Sequence, residues 1–238
     1  AMIPENDPAA IPGVEILDGL RSKLNLRKCL GMVFLWLWLA SLPAAAIDLS
    51  QAVVVSPPNL SGPEKKAVAM LIEEVEKRSQ VRWRSTAVWP DDAVPVIAVG
   101  PKKALPALGA HYPAEMPGDA GGNGPEGYGI RVQKDRSAPA VFVVGNDARG
   151  VLFGVGHLLR ALHLETRQIT LDDDFRVATQ PKYPLRGHQL GYRPKTNSYD
   201  AWDLATWEQY LRDLAVFGAN AIELIPPRSD DDADSPHF

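Results

Sequence analysis

Cysteine is nearly absent. The 238 residues hold one, Cys29, which excludes an internal disulfide framework and a multi-cysteine zinc site. Positive charge is not in excess either: 25 Lys and Arg against 29 Asp and Glu give a formal charge of −4. Without a basic field to collect phosphate backbones, nucleic acid is not an expected partner. No His-Glu-x-x-His occurs, and His157 and His163 stand six apart, on different faces of any helix. They read as a surface and a junction histidine, and no metal site is expected. Residues 145–150 follow an apolar run and open a helix as a phosphate loop would. Val151 and Leu152 then stand where Lys and Ser/Thr would have to hold phosphate and magnesium, so nucleotide binding is rejected and no cofactor is expected. Long apolar runs are missing too: residues 30–42 fall short of the roughly 20 a membrane-spanning helix needs.

That run has a different reading. Arg21, Lys23, Arg27 and Lys28 precede it, and Pro43-Ala44-Ala45-Ala46 follow it. A basic flank, a short apolar segment and a small-residue site make a secretory signal, with cleavage expected after Ala46. The expectation is a secreted or periplasmic protein with no stable membrane anchor after cleavage. Residues 1–25 are either spurious upstream sequence or a long basic region of the signal. The remainder, with 45% hydrophobic and 23% charged residues overall, is globular in composition.

Residues 52–55 (AVVV) predict a first strand, ended by Pro57-Pro58. Ser61-Gly62-Pro63-Glu64 offers a capping box for a helix. Val68, Leu71, Ile72 and Val75 form its apolar face, with Glu73, Glu74, Glu76, Lys77 and Arg78 on a wet one. Residues 82–88 and 95–100 predict two strands. Residues 109–127 are rich in Gly and Pro without apolar period, a surface loop that is either a tolerated insertion or a sugar-contacting lid. Residues 128–132 and 141–144 predict two more strands. Asp147 then caps a helix running to about His163, with Gly150, Gly154 and Gly156 letting it approach a sheet. The order describes an α+β layer, a sheet with helices packed on one face.

Pro181-Lys182-Tyr183-Pro184 marks a boundary. Beyond it, residues 185–190 and 221–225 read as strands flanking a helix from about Leu204 to Phe217, whose stripe is Trp207, Tyr210, Leu211, Leu214 and Phe217. Strand, helix, strand over some 40 residues is a βαβ unit with an expected right-handed crossover. The chain therefore divides into an upstream segment and signal (1–46), an α+β domain (47–180) and a βαβ unit (181–238).

Three stretches together carry a family likeness: Glu126-Gly127-Tyr128-Gly129-Ile130-Arg131-Val132, then 141–155 with GNDARGVLFGV, then Tyr183-Pro184-Leu185-Arg186-Gly187. They resemble the N-terminal domain of bacterial β-hexosaminidases of glycoside hydrolase family 20, also met in α-glucuronidase-type enzymes. The resemblance implies an accessory α+β domain over about residues 48–179, followed by the start of a catalytic (β/α)8 barrel, and a carbohydrate substrate. It implies that Arg186, on the first barrel strand, contacts sugar hydroxyls, a role its planar guanidinium suits; the competing role is a salt bridge at the domain junction. In (β/α)8 enzymes the carboxyl ends of strands form the active site, which makes Tyr192 and Arg193 further substrate-binding candidates. Glu223 could face a barrel interior as a carboxylate. Trp202 is the more open of two candidate sugar platforms, Trp207 fitting the helix stripe.

The chain departs from the family in having Leu190-Gly191-Tyr192-Arg193-Pro194 in place of an Asp and an Arg-His pair, and Glu223 where histidines follow an Asn. A glycosidase of other specificity is equally compatible. Residues 183–238 are far fewer than the roughly 250 of a complete barrel, and the Asp-Glu pair of the family's substrate-assisted mechanism occurs nowhere. No catalytic residue is assigned, and the expectation is a catalytically silent N-terminal portion. Asp230, Asp231, Asp232 and Asp234 read as a solvated loop or a cation-attracting run. The alternative is a non-catalytic carbohydrate-binding or interaction domain; oligomeric state is not legible.

Overall fold

The computed structural model describes residues 45–113, 115–116, 123–134, 137–190 and 202–224. The signal-like segment, Cys29, Tyr192, Arg193 and the run Asp230–Asp234 lie outside them. No helix among the described residues is long and apolar enough to cross a membrane.

The β-branched runs form the centre. Strands β1 (Ala46–Asp48), β2 (Val53–Val55), β3 (Arg84–Thr86), β4 (Val96–Pro101), β5 (Tyr128–Gln133), β6 (Ala140–Gly145), β7 (His163–Glu165), β8 (Gln168–Asp172) and β9 (Arg176–Thr179) precede β10 (Gly187–Leu190) and β11 (Ala221–Leu224). Six of them make a mixed sheet in the order β3-β2-β4-β6-β5-β9. β3, β2, β4 and β6 are mutually parallel, while β5 runs antiparallel to both β6 and β9. Every residue of β4 and β6 is buried, as expected of central strands covered on both faces.

Side chains alternate across the pleat, and this divides the core. Val54, Ile97, Val99, Ile130, Val141 and Val143 face helix α1 (Gly62–Ser79) and helix α2 (Ala148–Ala161). Val53, Val55, Val96, Ala98, Phe142 and Val144 face the other way. Both long helices of the layer thus lie on one face, as the sequence predicted, and the mixed sheets with few helices make an α+β fold. The opposite face is not bare. A 3-10 segment, Leu105–His111, kinked at Gly109 (φ 61°), covers it with buried Leu105 and Met116 and partly buried Trp89 and Tyr112. The expected surface loop over 109–127 therefore contributes cover at Tyr112 and Met116 and a buried Glu126, because a sheet apolar on both faces needs two lids.

Other expectations need correction. The first strand is β1, which pairs antiparallel with β8, itself paired with β7, in a separate three-stranded sheet. β7, β8 and β9 were not legible: they are three to five residues long, and Leu162, Ile169 and Leu171 are their few buried neighbours. Ala46, after which cleavage is expected, is the first residue of β1 and pairs with Asp172, while Ile47 and Asp48 beyond it pair with Leu171 and Thr170. Glu74, predicted on the wet face of α1, is buried, because a third helix, α3 (Leu204–Val216), docks there.

Helix ends follow local chemistry. At the start of α1 the Glu64 carboxylate accepts from the Ser61 backbone N–H at 2.6 Å, and the helix ends on Gln80 in the left-handed region (φ 61°). Asp147 accepts from Gly150 N at 2.7 Å, and Asp203 accepts from Thr206 N at 2.8 Å. Such caps satisfy backbone donors that have no partner inside the helix.

β10 and β11 pair parallel in the register Gly187↔Ala221 to Leu190↔Leu224, with α3 between them in sequence. The βαβ unit expected from the apolar pattern is present. The helix stripe is not as predicted: Leu211 is half exposed and Phe217 is exposed, while Val216 is buried. Val216 backbone atoms lie 2.7 Å from where a Cβ on Gly156 would stand. Gly156 thus admits α3 rather than the sheet; Gly154, whose added Cβ would meet Val143, serves the sheet as expected.

Candidate functional site

Short-range turn chemistry builds the junction between the layer and the βαβ unit. The Asp147 that caps α2 also accepts, through Oδ2, from the Glu126 backbone N–H at 2.9 Å. Asn146 Nδ2 donates to the Gly124 carbonyl at 2.8 Å. These two residues of the GNDARG segment hold the preceding turn, in which Glu126 takes a positive φ of 60°, an unusual backbone for a non-glycine residue. The turn is so close to α2 that a Cβ on Gly150 would lie 2.3 Å from the Gly127 carbonyl oxygen.

Held this way, the buried Glu126 carboxylate gathers three side chains. Arg149 Nη1 donates to Oε1 at 2.8 Å, Arg186 Nη2 donates to Oε2 at 2.7 Å, and Asn220 Nδ2 reaches both oxygens at 3.2 Å. Arg149 and its partner Glu126 are 23 residues apart, brought together because the turn folds back over α2. Desolvation pushes the Glu126 carboxyl up, but hydrogen bonds from Arg149, Arg186 and Asn220 and the Arg186 charge outweigh it and hold the group below its ordinary value. Burial without such partners would have the opposite result.

Arg186 is bound on several sides. Its Nε donates to Gly218 O and its Nη1 to Tyr183 O, both at 2.8 Å, and its guanidinium lies 5.0 Å from the Phe153 ring centroid. Its backbone N–H donates to Asn220 Oδ1 at 2.9 Å, and Asn220 Nδ2 also donates to Pro184 O at 2.7 Å. Of the two roles open to Arg186, the junction ion pair is the one the geometry displays. Beside it, Glu126, Arg149, Pro181, Lys182 and Pro184 border a cavity of about 530 Å³. An apolar cleft of about 260 Å³ lies between α2, α3 and the start of β11, lined by Leu152, Phe153, Leu211, Leu214 and Ile222.

The βαβ unit carries the remaining candidates. His188 contacts the Tyr210 hydroxyl, so the even positions of β10 face α3. Gln189 and Glu223, directly opposed in register, point to the other side, where Gln189 Nε2 donates to Glu223 Oε2 at 3.0 Å. Trp202 is half-buried and packs against Trp207 and Tyr210, each with ring centroids 5.0 Å away. Arg186 and Glu223 therefore lie on opposite sides of the strand pair, and Trp202 sits at the amino end of α3.

His157 is not the surface residue expected. It is half-buried, its Nδ1 is 3.0 Å from the Tyr128 hydroxyl, and it packs edge-on to Tyr128 and Phe175. Burial, then the Arg160 charge, hold its imidazole below the ordinary value. Among the described residues no group of three or more His, Cys, Asp or Glu is placed to hold a metal ion. Glu126 and Asn220 are not legible in the sequence as a linked pair because 94 residues separate them; the signal the sequence does offer is Glu126 at the head of the stretch Glu126 to Val132.

No protein-family profile and no curated protein matches the chain. Solved structures do. A family GH115 4-O-methyl-α-glucuronidase with specificity for decorated arabinogalactans superposes with a TM-score of 0.53 at 16% identity, over 75% of this chain and 25% of that one. The GH20 exo-β-N-acetylglucosaminidase of Vibrio harveyi in complex with N-acetylglucosamine gives 0.51 at 15% identity, over 77% and 24%. The chain spans about a quarter of the length of these structures, and the likeness is one of fold.

Proposed function

We propose that this chain is the amino-terminal part of an exported glycoside hydrolase acting on O-glycosidic bonds of oligo- or polysaccharides, joining an accessory α+β domain to the first βαβ of a (β/α)8 barrel. The observation that carries the reading is the parallel pairing of β10 with β11 on either side of α3, directly after the α+β layer. Two sugar-cleaving enzymes share the fold over three-quarters of the chain, which supports carbohydrate as the substrate class. In a barrel built on β10 and β11, side chains turned away from α3 face the interior, and Glu223 is one of these.

The proposed sugar-binding residues are Arg186, Tyr192, Arg193, Trp202 and Glu223. For Arg186 the contact is secondary: Glu126, Gly218 and Tyr183 each take one guanidinium N–H, and of the five such donors two remain. No catalytic acid or nucleophile is assigned. A glycan-array screen of the full chain tests the reading, with retention of at least one oligosaccharide expected; an array without any retained glycan overturns the carbohydrate assignment. Export is tested by amino-terminal sequencing of the protein recovered outside the cytoplasm, which should begin near Ile47.

A second reading, a non-catalytic carbohydrate-binding or interaction domain, is favoured by the exposure of Leu185, Leu204 and Phe217, apolar surface of the kind interaction sites present. Reading the coding sequence past Phe238 separates the two. Further βα repeats with paired carboxylates support the hydrolase, and a stop supports the binding domain.

A further inference from the structure

Resting on the carbohydrate reading, we propose that Gln189 and Glu223 form a hydroxyl-reading pair that accepts a neutral sugar and rejects one bearing a carboxylate. The two residues are opposite each other in the parallel register, and the Gln189 amide donates to one carboxylate oxygen at 3.0 Å. That bond orients the pair and leaves Glu223 Oε1 and Gln189 Oε1 as acceptors, together with the second amide N–H as a donor. A hydroxyl both donates and accepts, so two neighbouring sugar hydroxyls can satisfy such a mixed set. A sugar carboxylate only accepts, and its charge repels Glu223.

The surroundings support this polarity. The next pair on the same side of the strands is Gly187 and Ala221, whose Cβ atoms, with one added to Gly187, would be 3.5 Å apart. They present neither a charge nor a hydrogen-bonding side chain. Arg186, which could have attracted an anion, is turned to Glu126 on the layer side. Both Gln189 and Glu223 are exposed, so among the described residues none stands between them and a sugar.

The test is an NMR titration of the isotopically labelled full chain with cellotriose, triacetylchitotriose and digalacturonate, repeated on Glu223→Gln and Gln189→Met. At least one neutral trisaccharide should shift amide signals of residues 187–190 and 221–224 in the wild type, with digalacturonate at least about tenfold weaker. Glu223→Gln should reduce that preference to within a few-fold, and Gln189→Met should weaken the neutral sugar. An unchanged thermal midpoint in each variant confirms that it is folded; a lowered one moves the comparison to the less disruptive Glu223→Asp, which should keep the preference. Digalacturonate binding the wild type as tightly as the neutral sugars, or an unchanged preference in Glu223→Gln, overturns the pair's role. Sugars that shift signals only elsewhere, as at Trp202, overturn it and leave the carbohydrate reading standing; no shift with any sugar overturns both.

Discussion

At the residue scale, Glu126 has the most consequential surroundings. Its carboxylate is shared by Arg149 on α2 and by Arg186 and Asn220 on the βαβ side. Replacing it by Gln keeps an acceptor but leaves the partly buried Arg186 without its counter-charge. Glu126→Gln should lower stability by roughly 2 kcal/mol or more in chemical denaturation; a change within experimental error would show that the cluster contributes nothing net. His157 gives a pH dependence. Its folded value lies below the ordinary 6.5, so the unfolded chain binds the proton first. Stability contributed by neutral His157 is present above about pH 6.5 and falls as pH drops below it. Glu126 adds a second loss at lower pH, since its folded value is also depressed: its contribution is present above the ordinary carboxyl range and is lost as pH falls through the folded value. Between about pH 7.5 and pH 5.5, His157→Gln should therefore show a flatter unfolding profile than the wild type, and parallel profiles would remove His157 from the acid sensitivity.

At the scale of elements, α3 is held to α1 by charge more than by apolar contact. Arg212 is largely buried and reaches Glu73 at 2.6 Å, Glu208 at 2.8 Å and Glu74 at 3.6 Å. Gln209 receives a bond from Lys77 at 2.7 Å, and Arg78 contacts Glu74. Glu74 is buried, and a buried carboxylate that loses a cation is costly. Arg212→Ala should lower stability by about 1–3 kcal/mol and speed amide exchange over Leu204–Val216 ahead of β4 and β6. Equal acceleration throughout would mean that α3 is not a separately released element. This docking explains two sequence-level misses together. A charged face on α1 reads as solvated unless the partner helix is known, and the stripe Trp207 to Phe217 reads as the packed side although α3 turns Arg212 and Val216 to its neighbours.

At the scale of the whole molecule, burial is uneven. β4, β6 and the apolar faces of α1 and α2 are buried together, whereas Val216 is the buried hydrophobic residue among those described from 183 to 224. Limited proteolysis should remove the segment after about Thr179 first and spare the α+β layer that precedes it, since local opening follows local packing. Glu126→Gln should hasten that step, and initial cleavage inside α1 or α2 would contradict it. The amino-acid order by itself determined strands β2 to β6 and the two helices of the layer, the caps at Ser61 and Asp147 and the strand-helix-strand of residues 187–224, because caps and apolar periods act over a few residues. It also contained the glycines of the GNDARG region, though not the surfaces they meet. Tertiary structure alone decided the strand order, the cover on the second face, the burial of Glu74, and the meeting of Glu126 with Arg186 and Asn220. The last two depend on contacts 60 to 135 residues apart, and a charge pair at that separation leaves no periodic trace in the chain; its partner is chosen by where packed elements bring the backbone.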